Sequence, residues 1–144
     1  MVRKVYSSNG VTVEFNDNVE GVLDALQNAV NRGLEIVGEK AENYAKDKAP
    51  RATGNLRDHI THIVEENEVY VGVSHMNPPY GIYVEFGTGI YAEGGGRPTP
   101  WVYQDDEGKW HYTHGQAPQP FIRPAATEHT DEYREILINS LRNA

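Results

Sequence analysis

The densest run of chemically versatile side chains is Asp105-Asp106-Glu107, followed by His111 and His114. Imidazoles beside carboxylates are a donor set for zinc or manganese, which needs three or four ligands converging at about 2.0–2.2 Å. A metal held there would make the chain a small metal-dependent hydrolase or nuclease using the His111, His114 and Asp105 region. Nearness in sequence does not bring donors to one point, however. The same acids suit a hairpin tip between Trp101-Val102-Tyr103 and Lys109-Trp110-His111-Tyr112. His59 and His62 lie three apart on a segment that reads as a strand, which sends them to opposite faces. Ser7, Ser8, Ser74 and Ser140 have no neighbouring histidine–carboxylate arrangement for nucleophilic work. Gly87-Thr88-Gly89 and Gly94-Gly95-Gly96-Arg97 lack the strand-to-helix frame and the Gly-Lys-Ser/Thr of a phosphate loop. No catalytic residue, metal or cofactor is assigned, and the chain reads as a non-enzyme.

Arg57, Glu85 and Arg123 stand out for a different reason. Each sits in a phrase otherwise built of glycine, proline and apolar residues. A carboxylate in such a setting is costly unless a guanidinium pairs with it, ideally through two parallel hydrogen bonds. The three are therefore expected to form a structural clamp, with Glu85 buried and bonded to one or both arginines. Tyr91, Trp101, Tyr103, Trp110 and Tyr112 fall in a Gly/Pro-rich stretch and read as a subunit or partner interface. Aromatics bury much area at low rotamer cost, and the acids at 105–107 disfavour stacking on nucleic-acid bases.

These side chains are carried by 144 residues, read as a single domain over 1–144. With 21 acidic and 13 basic residues the formal charge is −8, which repels a phosphate backbone. No cysteine occurs, so disulfides, thiolate metal sites and cysteine nucleophiles are excluded, in keeping with a reducing compartment. The first residues lack the apolar run of a signal peptide, and no stretch approaches the roughly 20 apolar residues of a membrane span. A hydrophobic content of 38% is low for a self-sufficient globule, so an oligomer is expected.

The pattern predicts an N-terminal strand or arm over 1–16, from the alternation of Val11, Val13 and Phe15. Asp17 and Glu20 have capping-box spacing. From Val19 to Lys48, apolar residues recur at steps of three and four as one long amphipathic helix, which Pro50 ends. Gly33 and Gly38 within it read either as places where another backbone comes close or as tolerated weak spots of the helix. Thr53-Gly54-Asn55 reads as a turn, and Ile60–Glu66 with Val69–Ser74 as a hairpin around Asn67-Glu68. Asn77-Pro78-Pro79 breaks the chain before a short helix over Tyr80–Phe86. An extended loop over 89–117 bears the second hairpin, and a final helix runs from about Pro124 to Leu141. The fold class is α+β: a small, mainly antiparallel sheet packed with the long helix and the C-terminal helix.

Three phrases in fixed order carry a family likeness: APRATGNLRDHI (Ala49 to Ile60), YGIYVEFGTG (Tyr80 to Gly89) and QAPQPFIRPA (Gln116 to Ala125). With the long helix before them, they resemble the gene-product-ten-like neck and tail-component family of tailed siphophages, from about Val19 to the C-terminus. The positions that match are Ala49, Pro50, Thr53, Gly54, Leu56, Arg57 and Ile60, then Tyr80 and Tyr83 to Thr88, then Pro118 to Phe121 and Arg123 to Ala125. The length of 89–116 departs from the family pattern. The resemblance implies a structural virion protein, a homo-oligomeric ring subunit at the head–tail junction. Its neighbours would be connector or stopper and tail-terminator or tail-tube proteins. Genome DNA would pass through without specific binding, no membrane would be involved, and assembly would take place in the host cytoplasm. The family has no catalytic residues to transfer.

Overall fold

The computed structural model describes residues 2–50, 55–75, 80–105 and 107–144. The Thr53-Gly54 part of the turn, the Asn77-Pro78-Pro79 break and Asp106 lie outside them. Strands β1 (Val2–Ser8) and β2 (Val11–Asp17) pair antiparallel. The sequence-based reading of one strand is corrected to a hairpin. Its turn is Asn9-Gly10, both at positive φ (49° and 78°), as a two-residue turn between twisted strands requires. Tyr6, Val11, Val13 and Phe15 share one face, where Tyr6 and Phe15 meet edge to face at 6.0 Å.

Helix α1 spans Val19–Lys48, the predicted bounds. The capping box does not form. Asn18 occupies the cap position without a side-chain bond, and Asp17 accepts the Val19 amide at 2.9 Å, two residues on. At the other end Ala49 is extended (ψ 141°), the conformation imposed on a residue before proline. Buried positions on α1 begin only at Ala29 and follow the four-residue series Ala29, Gly33, Val37, Ala41, Ala45, with Leu34 and Gly38 beside it. Small side chains there let two layers approach α1 closely.

On one side lies the hairpin of β3 (Ile60–Glu65) and β4 (Glu68–Val73), which follows the one-turn helix α2 (Asn55–Asp58). Its turn is Glu66-Asn67, one residue earlier than the pattern predicts, again with two positive φ values (46° and 67°). Val69, Val71 and Val73 lie on one face, as their alternation predicts, with Val71 and Val73 packed on the core. His62 lies over Gly38, whose hypothetical Cβ would stand 2.3 Å from the imidazole Cδ2. His59 precedes the strand and bonds the Asn55 carbonyl (2.8 Å), so it and His62 do not share a strand.

On the other side the chain forms two helices where the pattern predicts one: α4 (Ile122–Thr127) and α5 (Thr130–Arg142). His129 stacks on Tyr44 at 3.6 Å at the break, and Lys48 meets Glu128 at 3.2 Å. These contacts with α1 redirect the chain so that α5 runs along α1. There Tyr44 and Lys40 both bond Glu132 (2.5 and 3.0 Å), and a Cβ on Gly33 would stand 3.0 Å from Leu137. The Tyr133 hydroxyl donates to the Ala125 carbonyl, tying α5 to α4, and burial pushes its pKa up to about 12. Helix α3 (Tyr80–Phe86) and a third two-stranded sheet, β5 (Trp101–Gln104) with β6 (Trp110–Thr113), complete the chain. Among the described residues the strands thus form three separate antiparallel pairs, and the one packed on the long helix is β3–β4. The core closes where α1 ends: Ala45, Ala49, Leu56, Ile60, Phe121 and Ala125 are buried together.

Two glycines of α1 give opposite expectations. At Gly21 an added Cβ meets only the Asn18 side chain, which is exposed and unengaged, so Gly21→Ala is expected to stabilise by about 1 kcal/mol or less through helix propensity. At Gly38 the same change drives into the His62 ring and is expected to lower the melting temperature. Thermal melts of the two variants followed by circular dichroism check the opposite signs.

Candidate functional site

Glu85 is the one buried charged residue among those described, 5% exposed on the inward side of α3. One carboxylate oxygen accepts the amides of Phe121 and Ile122 (2.9 and 3.0 Å), and the other accepts the amide of Arg123 (3.0 Å). These are the opening amides of α4, which have no partner within the helix. Phe121, the cap residue, has no side-chain acceptor to offer, so a carboxylate 36 residues away supplies the cap. It also meets the positive end of the helix dipole.

The Arg123 side chain completes the arrangement. Its Nε donates to Glu85 Oε1 (2.9 Å), its Nη2 to the Glu85 carbonyl (3.0 Å), and its Nη1 and Nη2 to the two oxygens of Glu93 (3.0 and 2.9 Å). The guanidinium also covers the Phe86 ring at 5.0 Å. Burial alone would raise the Glu85 pKa. The three amides and the guanidinium outweigh it, and the pKa lies below the ordinary carboxyl value. Glu93 first, and Glu85 after it, hold Arg123 above its own usual value.

Of the two arginines singled out in the sequence, Arg123 pairs with Glu85 and Arg57 does not. Arg57 sits on α2, and its Nε is buried without a hydrogen-bond partner among the described residues. Glu93, which grips the guanidinium from the far side, was not distinguishable in the sequence from twenty other acids. Its only local signal is its place in the Gly-rich stretch a few residues after α3.

The clamp stands at the root of the 89–116 excursion. Gly87, at φ 80°, ends α3 while its amide bonds the Tyr83 carbonyl (2.9 Å). The two arms of the loop then pair: Thr88 N–H with the Gln116 carbonyl (2.9 Å), Ile90 N–H with His114 (3.1 Å), and Gln116 N–H with the Thr88 hydroxyl (2.9 Å). Gly89 and Gly115 face one another so closely that a Cβ on Gly89 would lie 1.9 Å from the His114 carbonyl oxygen. The Glu93 and Gln119 amides bond the carbonyls of Phe86 and Val84 (2.9 and 2.8 Å), fastening both arms to α3.

The predicted interface aromatics spread over this excursion. Trp110 and Tyr112 on β6 are each 66% exposed, Tyr91 and Tyr103 are exposed, and Trp101 is half-buried with the Arg97 guanidinium 5.4 Å from its ring centre. Trp101 and Tyr103 line an open groove of about 640 Å³ with Tyr80 and Tyr83 of α3.

The residues of the metal reading are engaged otherwise. Asp105 Oδ1 accepts the Glu107 and Lys109 amides (3.0 and 2.8 Å), and its Oδ2 bonds His111 Nε2 at 2.7 Å. His111 and the Lys109 amide outweigh desolvation and hold the Asp105 carboxyl below its usual value. His111 stacks on Tyr103 and His114 meets Tyr112 edge to face, so these side chains support the hairpin. Among the described residues no three histidine, aspartate or glutamate side chains are arranged to hold a metal ion.

Comparison with known families places the chain beside a family of phage proteins. The model for "Bacteriophage HK97-gp10, putative tail-component" matches residues 13–87. That span runs from β2 through α1 and the β3–β4 hairpin to the end of α3, and includes Glu85. The resemblance read in the sequence continues further, and its third phrase, with Arg123, lies beyond the matched span. No curated protein and no solved structure matches.

Removing the Glu85 carboxylate would strand the three opening amides of α4 and the Nε of Arg123, whose Nη groups would keep Glu93. Glu85→Ala is expected to cost about 3–5 kcal/mol in urea unfolding. Because the Glu85 pKa is depressed on folding, its contribution is full above the unfolded carboxyl value and is lost as pH falls through the folded one. The acid-side loss of stability is therefore expected to be shallower in Glu85→Gln than in the wild type, as urea midpoints across the acid range will read.

Proposed function

Because the chain belongs to the HK97-gp10-like family of bacteriophage tail components, we propose that it is a ring subunit of the head–tail junction, in the neck or tail-completion layer. It takes part in joining head to tail and surrounds the passage of the genome. The observation that carries this reading is the β5–β6 hairpin. Its two most exposed aromatics, Trp110 and Tyr112, are presented on a loop whose root is fixed by the Glu85–Arg123–Glu93 clamp. Aromatic side chains on a supported, protruding element are contact anchors, and a fixed root lowers the ordering cost of docking.

The charge of −8 fits a wall that DNA slides past without being gripped. Connector or stopper proteins on one side and tail-terminator or tail-tube proteins on the other are the partners this role requires. The place of action is then the virion, with assembly in the host cytoplasm. No helix among the described residues is long and apolar enough to cross a membrane. A non-enzymatic role agrees with a structural family and with the use of Asp105 and His111 in the hairpin tip.

Deleting the hairpin Trp101–Tyr112 and closing the gap with a short flexible linker is expected to leave the circular-dichroism melt nearly unchanged while sharply reducing infectious particles in a complementation assay. A folded variant with normal particle yield would remove the hairpin as the interface. Amide hydrogen exchange over 89–116 should show stronger protection in assembled particles than in the free subunit. Equal protection in both counts against a contact role.

A further inference from the structure

The N-terminal part of the chain contributes almost nothing to the core. Every described side chain from Arg3 to Asn28 is exposed, although the segment includes Val5, Tyr6, Val11, Val13, Phe15, Val19, Val22, Leu23 and Leu26. The apolar face of the β1–β2 hairpin and the first turns of α1 border one open groove of about 930 Å³, lined by Tyr6, Phe15, Val19, Val22 and Leu23. The apolar stripe of α1 is continuous, but only its part from Ala29 onward is covered by α5 and the β3–β4 hairpin.

A second apolar surface lies at the other end of the same helix. Tyr80, Ile82, Tyr83, Phe86, Ile90 and Tyr91 are each between 43% and 59% exposed. They belong to α3 and the turn after it, which are anchored through Val84 to the cluster around Ala45 and Ala49. Leu23 and Ala45 are about 33 Å apart along the helix axis, so within one chain the two surfaces cannot cover each other.

The total area gives the scale of what is missing. The chain exposes 10277 Å², whereas a compact monomer of this mass exposes about 7,400 Å². The excess, about 2,900 Å², lies in the range that permanent homo-oligomeric interfaces bury, about 2,000–5,000 Å².

We propose that the arm formed by β1, β2 and the first turns of α1 docks on the α3 face of a second copy of this chain. Unlike patches at opposite ends of one rod make a head-to-tail contact, which repeats from subunit to subunit and closes into a ring when the rotation allows. The inference rests on the ring reading and assigns its lateral contact, leaving the β5–β6 hairpin free for a different partner. Tyr6, Val13, Phe15, Val22, Leu23 and Leu26 supply the arm's side of the interface.

The chain has no cysteine, so single thiols can be introduced without background. Leu23→Cys and Ile82→Cys proteins, one carrying a size tag, are mixed and treated with a short bis-maleimide. Cross-linking is expected between the two species and not within either alone, and the doubly substituted chain should give a ladder. Leu23→Cys linking to itself as efficiently would mean a two-fold contact between arms and would overturn the proposal.

Light scattering on the Phe15→Glu/Leu23→Glu variant, checked by circular dichroism for retained fold, should show association weakened by about tenfold or more. If that variant assembles as the wild type does, the ring stands and the arm contact falls. A wild-type chain that stays monomeric up to its solubility limit, with no cross-link, also overturns the arm contact, while the hairpin deletion still decides the tail reading separately.

Discussion

The carboxylate of Glu85, placed on the first amides of α4, is the interaction on which the C-terminal half of the chain depends. A buried charge is tolerable only when its solvation is replaced in full, and here three amides and a guanidinium replace it. The consequence is mechanical. Helix α3, the start of α4 and both roots of the excursion are joined at one point, and Phe121 is buried completely beside it. The excursion can therefore be long and rich in glycine and still leave the body of the chain in a defined direction.

Helix α1 supplies the second constraint, through residues valued for small volume. Ala29 and Gly33 admit α5 on one side, and Gly38 admits the His62 ring on the other. Close approach makes the α1–α5 seam a place where polar groups meet exactly across from one another in hydrogen-bond range, with Lys40 and Tyr44 on Glu132 and Ser140 on the Ala29 carbonyl. The glycines weaken the isolated helix by about 1 kcal/mol each relative to alanine. Packing offsets that cost only from Ala29 onward, so the first turns of α1 stand as helix without internal support.

This division of labour suits a protein of a tail-component family. One end of the long helix holds a dense core that fixes a projecting aromatic hairpin, while the other end carries apolar surface that the chain itself leaves uncovered. Both features make sense for a subunit whose final solvent-exposed area is set by its neighbours.

What the sequence determined by itself was the local structure: α1 from Val19 to Lys48, the two later hairpins and the short helix before Gly87 follow from periodicity, proline and turn chemistry within a few residues. The Asn9-Gly10 turn was equally local, and the alternation beside it drew the reading toward a single strand. The oddity of Glu85 was legible too, since a carboxylate amid apolar residues needs a partner wherever it lies. Which arginine answers it was not legible, because Arg57 and Arg123 sit in equally plausible phrases. Only the tertiary structure selects Arg123, by aiming its backbone amide and its side chain at one carboxylate. The break at Glu128–His129 has the same origin. No proline or glycine within the segment stops the helix, and Tyr44 and Lys48, 80 or more positions earlier, hold the turn against α1. Interactions over such separations depend on how whole elements pack, and short-range spacing carries no record of that.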